Sequence, residues 1–212
     1  MQIKYLSTRD WQLSAHAPLQ SRDAIMVMPF TRPAQAETAL RLMAERAQVP
    51  GVLLGVHDEA GWGFIKIINQ SFRATRSPYF GYVAQDAFAG RGWLALALEA
   101  LGDQGVLLGF NDGKWAGALA GFGLAQRQWA QSNYQGDFFY PRYQRHFADA
   151  ELTVLAMQAG RYVYEPNSVL VEIDWHKDHA AVDAADRRLF RRRQTTGFDE
   201  RVTHPQLRSL FS

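Results

Sequence analysis

The sequence predicts a single α/β domain whose mostly parallel sheet is flanked by helices, and three observations predict it. First, Ala24 to Met28, Val52 to Val56 and Tyr79 to Val83 are short, nearly continuous apolar runs. That is the pattern of strands buried on both faces, as in parallel sheets. Second, segments with helical spacing alternate with these runs, as a doubly wound fold requires. Third, the runs lead into polar residues, Pro29-Phe30-Thr31-Arg32, His57-Asp58 and Gln85-Asp86, at the strand ends where such sheets bind ligands.

Taken in order, the first twenty or so residues have no clear period and are expected to form an irregular lead-in or an edge element through residue 23. The run from Ala24 is expected to stop at Pro29. Gln35 to Ala47 places Ala36, Ala39, Leu40, Met43 and Ala47 on one helical face. Pro50-Gly51 punctuates before the second run. In Phe64 to Arg73, the residues Phe64, Ile67, Ile68 and Phe72 share a face, which predicts a second helix. Gly92-Trp93 opens a helix to Leu101, and Val106 to Phe110 reads as a strand. Asn111 to Tyr143 is rich in Gly, Trp, Asn and Tyr with weak periodicity, a length of loop that is usually functional. A helix from Asp149 to Ala159 ends at Gly160, a C-cap residue. Two strand-like stretches follow, Arg161 to Glu165 and Ser168 to Ile173. The charged tail from about Lys177 reads as helical through Arg193.

Composition narrows the possibilities. At 212 residues and 47% hydrophobic, the chain can fill one core. Without cysteine it has no disulfide, thiolate nucleophile or Cys-based zinc site. The opening MQIKYLSTRDWQ lacks a signal-peptide core, and no stretch reaches the roughly 18 apolar residues of a membrane span, so a cytoplasmic protein is expected. The net charge of +2 is uneven, with Arg187, Arg188, Arg191, Arg192 and Arg193 close together near the end. This cluster is either a solvated helix face or a peripheral contact for phosphates or an anionic membrane. A nucleic-acid groove is not expected, because no basic–aromatic pattern accompanies it.

The order of motifs resembles the inverting GT-A glycosyltransferases, the large bacterial family typified by polysaccharide synthases. MPFTRPAQAETALRLMAE is similar to that family's first strand, turn and helix, and LLGVHDEAG to its second strand with an acidic end. IINQSFRATRSPYFGYVAQD resembles the stretch leading to the metal-binding strand end. RHFADAELTVLAMQAGRYVYEPNSVLVEIDWHK resembles the late segment that carries the base and a closing His. The sequence departs in having Ala84 and Gln85 where acids often stand, and His57-Asp58-Glu59-Ala60-Gly61 where two acids usually precede a Gly-Ser turn.

The resemblance implies a GT-A-like, Rossmann-related fold that moves a sugar from a nucleotide-sugar donor, a UDP-sugar foremost, to a hydroxyl of a saccharide or lipid-linked acceptor. It implies a divalent cation, Mn²⁺ or Mg²⁺, held by Asp86 and His176. Pro29, Phe30, Arg32 and Asp58 would contact the nucleotide, with Asn69 and Arg73 facing it from the second helix. Asn111, Asp112 and Trp115 fall where the family places sugar and acceptor contacts, and Asp149 where it places the general base. Local pattern alone leaves alternatives open, since Asp86 and Asp149 each stand where an Asp caps a helix. A nucleotidyltransferase fits less well, because the turn after the first strand has no glycine-rich phosphate loop. A non-catalytic adaptor of the same fold is the alternative from outside enzymology.

Overall fold

The run at Ala24 lies at the heart of an eight-stranded sheet, and the strands it predicts line up beside it. A computed structural model describes residues 1–11, 18–173 and 182–211. The chain begins with β1 (Gln2–Ser7), a helical turn α1 (Thr8–Trp11) and β2 (Leu19–Gln20). Then come β3 (Ala24–Phe30), α2 (Pro33–Arg46), β4 (Val52–His57), α3 (Phe64–Ala74), β5 (Thr75–Arg76) and β6 (Tyr79–Tyr82). They are followed by β7 (Ala87–Ala89), α4 (Trp93–Leu101), β8 (Leu107–Asn111), β9 (Gly123–Gln126) and α5 (Arg127–Gln131). The last described elements are α6 (Ala148–Gln158), β10 (Tyr162–Glu172), α7 (Ala184–Thr195) and the short turns α8 (Gly197–Glu200) and α9 (Pro205–Arg208).

The large sheet has the order β1-β4-β3-β6-β9-β8-β10-β7, and β2 pairs separately with β5. β9 is antiparallel to β6 and β8, and β7 to β10, while the remaining pairings are parallel. Each face of the sheet has its own core. α2 and α4 cover one face around Met26, Leu40, Met43 and Trp93. α3, α6 and α7 cover the other around Ile25, Val27, Phe72 and Phe190. Because β3 alternates between the two layers, all seven of its residues are buried, which is why it reads as one apolar run. No helix among the described residues is long and apolar enough to cross a membrane.

Several elements differ from expectation. Pro29 does not end β3, which continues to pair with β4 through Phe30↔His57. The ladder to β6 ends at Val27, whose carbonyl accepts from Val83 N. Pro29 points its nitrogen to that vacated side, so its missing N–H costs no ladder bond. The lead-in contains β1, which pairs with β4 from Gln2↔Val52 to Ser7↔His57. As an edge strand it is only half-buried, so its sequence carries no apolar run. The weakly periodic stretch after Asn111 contains β9 and α5. The two late strand-like stretches are one strand, β10, whose register shifts between Tyr164 and Val169. Its first half pairs with β8 and its last residues with β7. In the tail, α7 starts at Ala184, where the Asp183 carboxylate accepts from Ala185 N and Asp186 N. Residues 177–181, the start of the expected tail, lie outside the described residues.

Candidate active site

At the carboxyl ends of β3 and β4, Phe30 stacks on His57 with ring centroids 5.0 Å apart. The adjoining turn is braced by Gln85, whose Oε1 accepts from Thr31 N and Arg32 N, each at 2.9 Å. The Gln85 amide oxygen satisfies two N–H groups at the start of α2. Arg32 is exposed at the N-cap position of that helix. Asp58 turns its carboxylate into the following loop, accepting from Trp62 N and Gly63 N at 2.8 Å. Pro29, Phe30, Arg32 and Asp58 thus share one rim, which Gln85 connects to Asp86.

Asp86 is 1% exposed and precedes β7, and its carbonyl accepts from Ile173 N at 3.1 Å. It is not a helix cap, since a strand follows. The neighbouring Glu172 donates its N–H to the Asp112 carbonyl at 3.1 Å. Asp112, at the end of β8, is buried and its Oδ1 accepts from Lys114 N and Trp115 N, both at 2.9 Å. β10 therefore carries Glu172 between Asp86 on one side and Asp112 on the other. Asn111 is turned toward the β10 irregularity, with its Nδ2 donating to the Pro166 carbonyl at 2.8 Å.

Asp149 enters from the opposite layer, in the first turn of α6. The N-cap is Phe147, in the left-handed region at φ 69°, so Asp149 does not serve as the cap. A bulky residue is strained there, and stacking of Phe147 on Phe190, with centroids 4.8 Å apart, helps hold it. Burial pushes the Asp149 carboxyl up to about 6, against the lowering effect of nearby backbone N–H groups, and the charges of Asp112 and Glu172 add to the rise. The helix is tied to the sheet through Thr153, whose Oγ1 donates to the Asp149 carbonyl at 2.7 Å and accepts from Ala120 N at 3.2 Å. Tyr82 of β6 donates to the Ala120 carbonyl. Asp149 lines a cavity of about 580 Å³ together with Trp115, Gly121, Phe147 and Phe190. Trp115 stands partly exposed at 40%.

Two expected nucleotide residues are engaged elsewhere. Asn69 is buried on α3, where its Nδ2 donates to the Phe139 carbonyl and its Oδ1 accepts from Phe138 N and Phe139 N. Arg73 pairs with Asp137. The basic cluster also divides. Arg193 is buried, not solvated, and makes two 2.7 Å hydrogen bonds to Glu151. Arg187, Arg188, Arg191 and Arg192 are all exposed, and of these Arg187 and Arg191 also line the cavity. His176 lies outside the described residues.

Sequence reasoning passed over Glu172 and Asp186, and gave Gln85 no role of its own. Glu172 carries the signal that selected Asp86, a carboxylate at the close of an apolar run. Asp186 is 1% exposed and accepts from Gln144 N, Arg145 N and His146 N, docking α7 onto the cavity wall. Only the structure reveals that role.

No protein-family model matches the chain, and no curated protein matches it in sequence. Among solved structures, the mannosyltransferase PcManGT from Pyrobaculum calidifontis, in complex with GDP-Man and Mn²⁺, superposes with a TM-score of 0.55 at 13% identity. The match covers 87% of this chain. The chain shares its fold with that glycosyltransferase. The chain spans 66% of that protein's length, so the likeness concerns a shared core. Asp86, Asp112 and Glu172 carry carboxylate oxygens, the donor type a hard divalent cation takes. Among the described residues no three His, Cys, Asp or Glu side chains are grouped to hold an ion. A cation here would have to take most of its oxygens from phosphate, with one or two carboxylates from the protein.

Proposed function

We propose that the chain transfers a sugar from a nucleoside-diphosphate donor to a hydroxyl acceptor, with inversion at the anomeric carbon. The observation that carries this reading is Asp149, an ionisable carboxyl raised to about 6, lining a cavity beside the acidic strand ends of a glycosyltransferase fold. The nucleotide would lie on the rim of Pro29, Phe30, Arg32 and Asp58. Asp86 would face the diphosphate and hold a divalent cation, Mn²⁺ or Mg²⁺. Such a cation supplies positive charge to the leaving diphosphate. Asp112 keeps the turn that presents Trp115, whose flat face would pack on a sugar ring.

The acceptor hydroxyl would then approach C1 from the cavity side, opposite the diphosphate. As its oxygen bonds to C1, the C1–O bond to phosphate breaks and its electron pair leaves with the nucleoside diphosphate. Asp149 takes the hydroxyl proton, a task suited to a carboxylate whose pKa lies just below neutral. Attack opposite the leaving group inverts the anomeric centre.

The test uses the purified full chain with UDP- and GDP-sugars, with and without Mn²⁺, reading thermal stabilisation and nucleoside diphosphate release. Donor-specific stabilisation that requires Asp86 is expected. Asp149→Asn should keep donor binding and lose transfer. Equal turnover in Asp149→Asn and the parent would remove Asp149 from the base role.

A further inference from the structure

We propose that the cavity at Asp149 takes an amphiphilic acceptor, an apolar body with an anionic group, rather than a plain saccharide. The inference rests on the transferase reading for what happens to the acceptor, but not for its binding. Its first support is the cavity wall, which is built from Phe64, Leu119, Phe139, Phe147, Phe190 and Phe211. Asp149 is the one carboxylate and His146 the one imidazole among the described lining residues, and no Asn, Gln, Ser or Thr joins them. The hydroxyl of Tyr82 is already committed to the Ala120 carbonyl. A sugar chain placed here would find few partners for its ring of hydroxyls, and unpaired polar groups weigh against binding. An alkyl or polyisoprenoid-like body would gain from every methylene removed from water, about fourfold in affinity for each.

The second support is charge. Arg145, Arg187 and Arg191 line the same cavity, and Arg187 and Arg191 stand one helical turn apart on α7. Among the described residues neither Arg187 nor Arg191 forms an ion pair with a carboxylate. Their disposition is built rather than casual. Asp186, next to Arg187, binds the backbone of Gln144, Arg145 and His146, fixing the arginine of that loop relative to the two on the helix. Guanidinium groups so placed suit a phosphate or a carboxylate. The acceptor's hydroxyl would meet Asp149 while its anionic group meets the arginines.

The probes are hexyl and octyl phosphate below their micelle concentrations, octyl glucoside as the uncharged chain, inorganic phosphate, and a cello-oligosaccharide. Binding is read by calorimetry and by Trp115 fluorescence, with Trp115→Phe assigning the signal. Octyl phosphate should bind at least tenfold more tightly than octyl glucoside or phosphate, and on the order of tenfold more tightly than hexyl phosphate. Arg187→Glu/Arg191→Glu should abolish the preference for the charged chain while its melting temperature stays near the parent's. Equal affinity for charged and uncharged chains, preference for the oligosaccharide, or an unchanged preference in the double variant would each overturn the proposal. So would tight binding to anionic vesicles that octyl phosphate fails to compete, which would assign the arginines to a membrane surface. Nucleotide-sugar binding is measured in parallel. Octyl phosphate binding without donor binding would sink the transferase reading alone, and the converse would sink only this inference.

Discussion

Asp149 joins two opposed demands in one side chain. Burial raises its pKa from 3.8 to about 6, so the folded protein holds a proton that the unfolded chain has released between those values. Stability therefore falls as pH rises from about 4 to 6, by up to about 3 kcal/mol, and stays reduced at neutral pH. The proposed chemistry needs the ionised form that burial disfavours. Asp149→Asn should melt higher than the parent at pH 7.5, match it at pH 4, and be inactive. Turnover in the parent should fall tenfold per pH unit below about 6, and a flat profile there would assign the proton elsewhere. Arg193 offers a second case at this scale. It is buried against Glu151, which also accepts from Tyr134 and Tyr143 hydroxyls at 2.9 Å. Arg193→Ala leaves the buried Glu151 with only the more distant Arg201, 3.6 Å away, and should cost about 3 kcal/mol in denaturant unfolding. Arg73→Ala should cost about 1 kcal/mol, because Arg73 itself is half-exposed although its partner Asp137 is mostly buried.

At the level of elements, close approach determines which residues the sheet tolerates. A Cβ on Gly81 would stand 2.7 Å from the Gly123 carbonyl oxygen and 2.8 Å from Met26 Cε. Gly81→Ala should therefore destabilise by about 1–3 kcal/mol, checked by the midpoint of chemical unfolding. The same crowding explains why β9 was illegible. A Cβ on Gly123 would meet the Tyr82 ring and hydroxyl at 2.8–3.0 Å, so this strand begins with a glycine and reads as loop. β3, β4 and β6 were legible because burial on both faces leaves continuous apolar runs. β1, open along its outer edge, leaves none. Asn69 was expected to face the nucleotide because the resemblance placed it there. Its three hydrogen bonds to Phe138 and Phe139 give it a structural occupation, and Asn69→Ala should cost about 1–3 kcal/mol by thermal melting.

Across the whole molecule, Asp86, Asp112 and Asp149 come from three strand or helix ends that no local pattern joins. The order of motifs put Asp86 and Asp149 on the candidate site, but only the fold reveals Glu172 between two of these carboxylates. It also turns a charged tail into a wall. α7 is tied to the cavity loop through Asp186 and to α6 through Arg193, near opposite ends of one helix. A chain trimmed before Ala184 would consequently forfeit two fastenings at once, stranding Glu151 and releasing the peptide groups of residues 144–146. Such a deletion should yield a product digested rapidly by trypsin around residue 145, because the final segment acts as the buckle that keeps α6 in place.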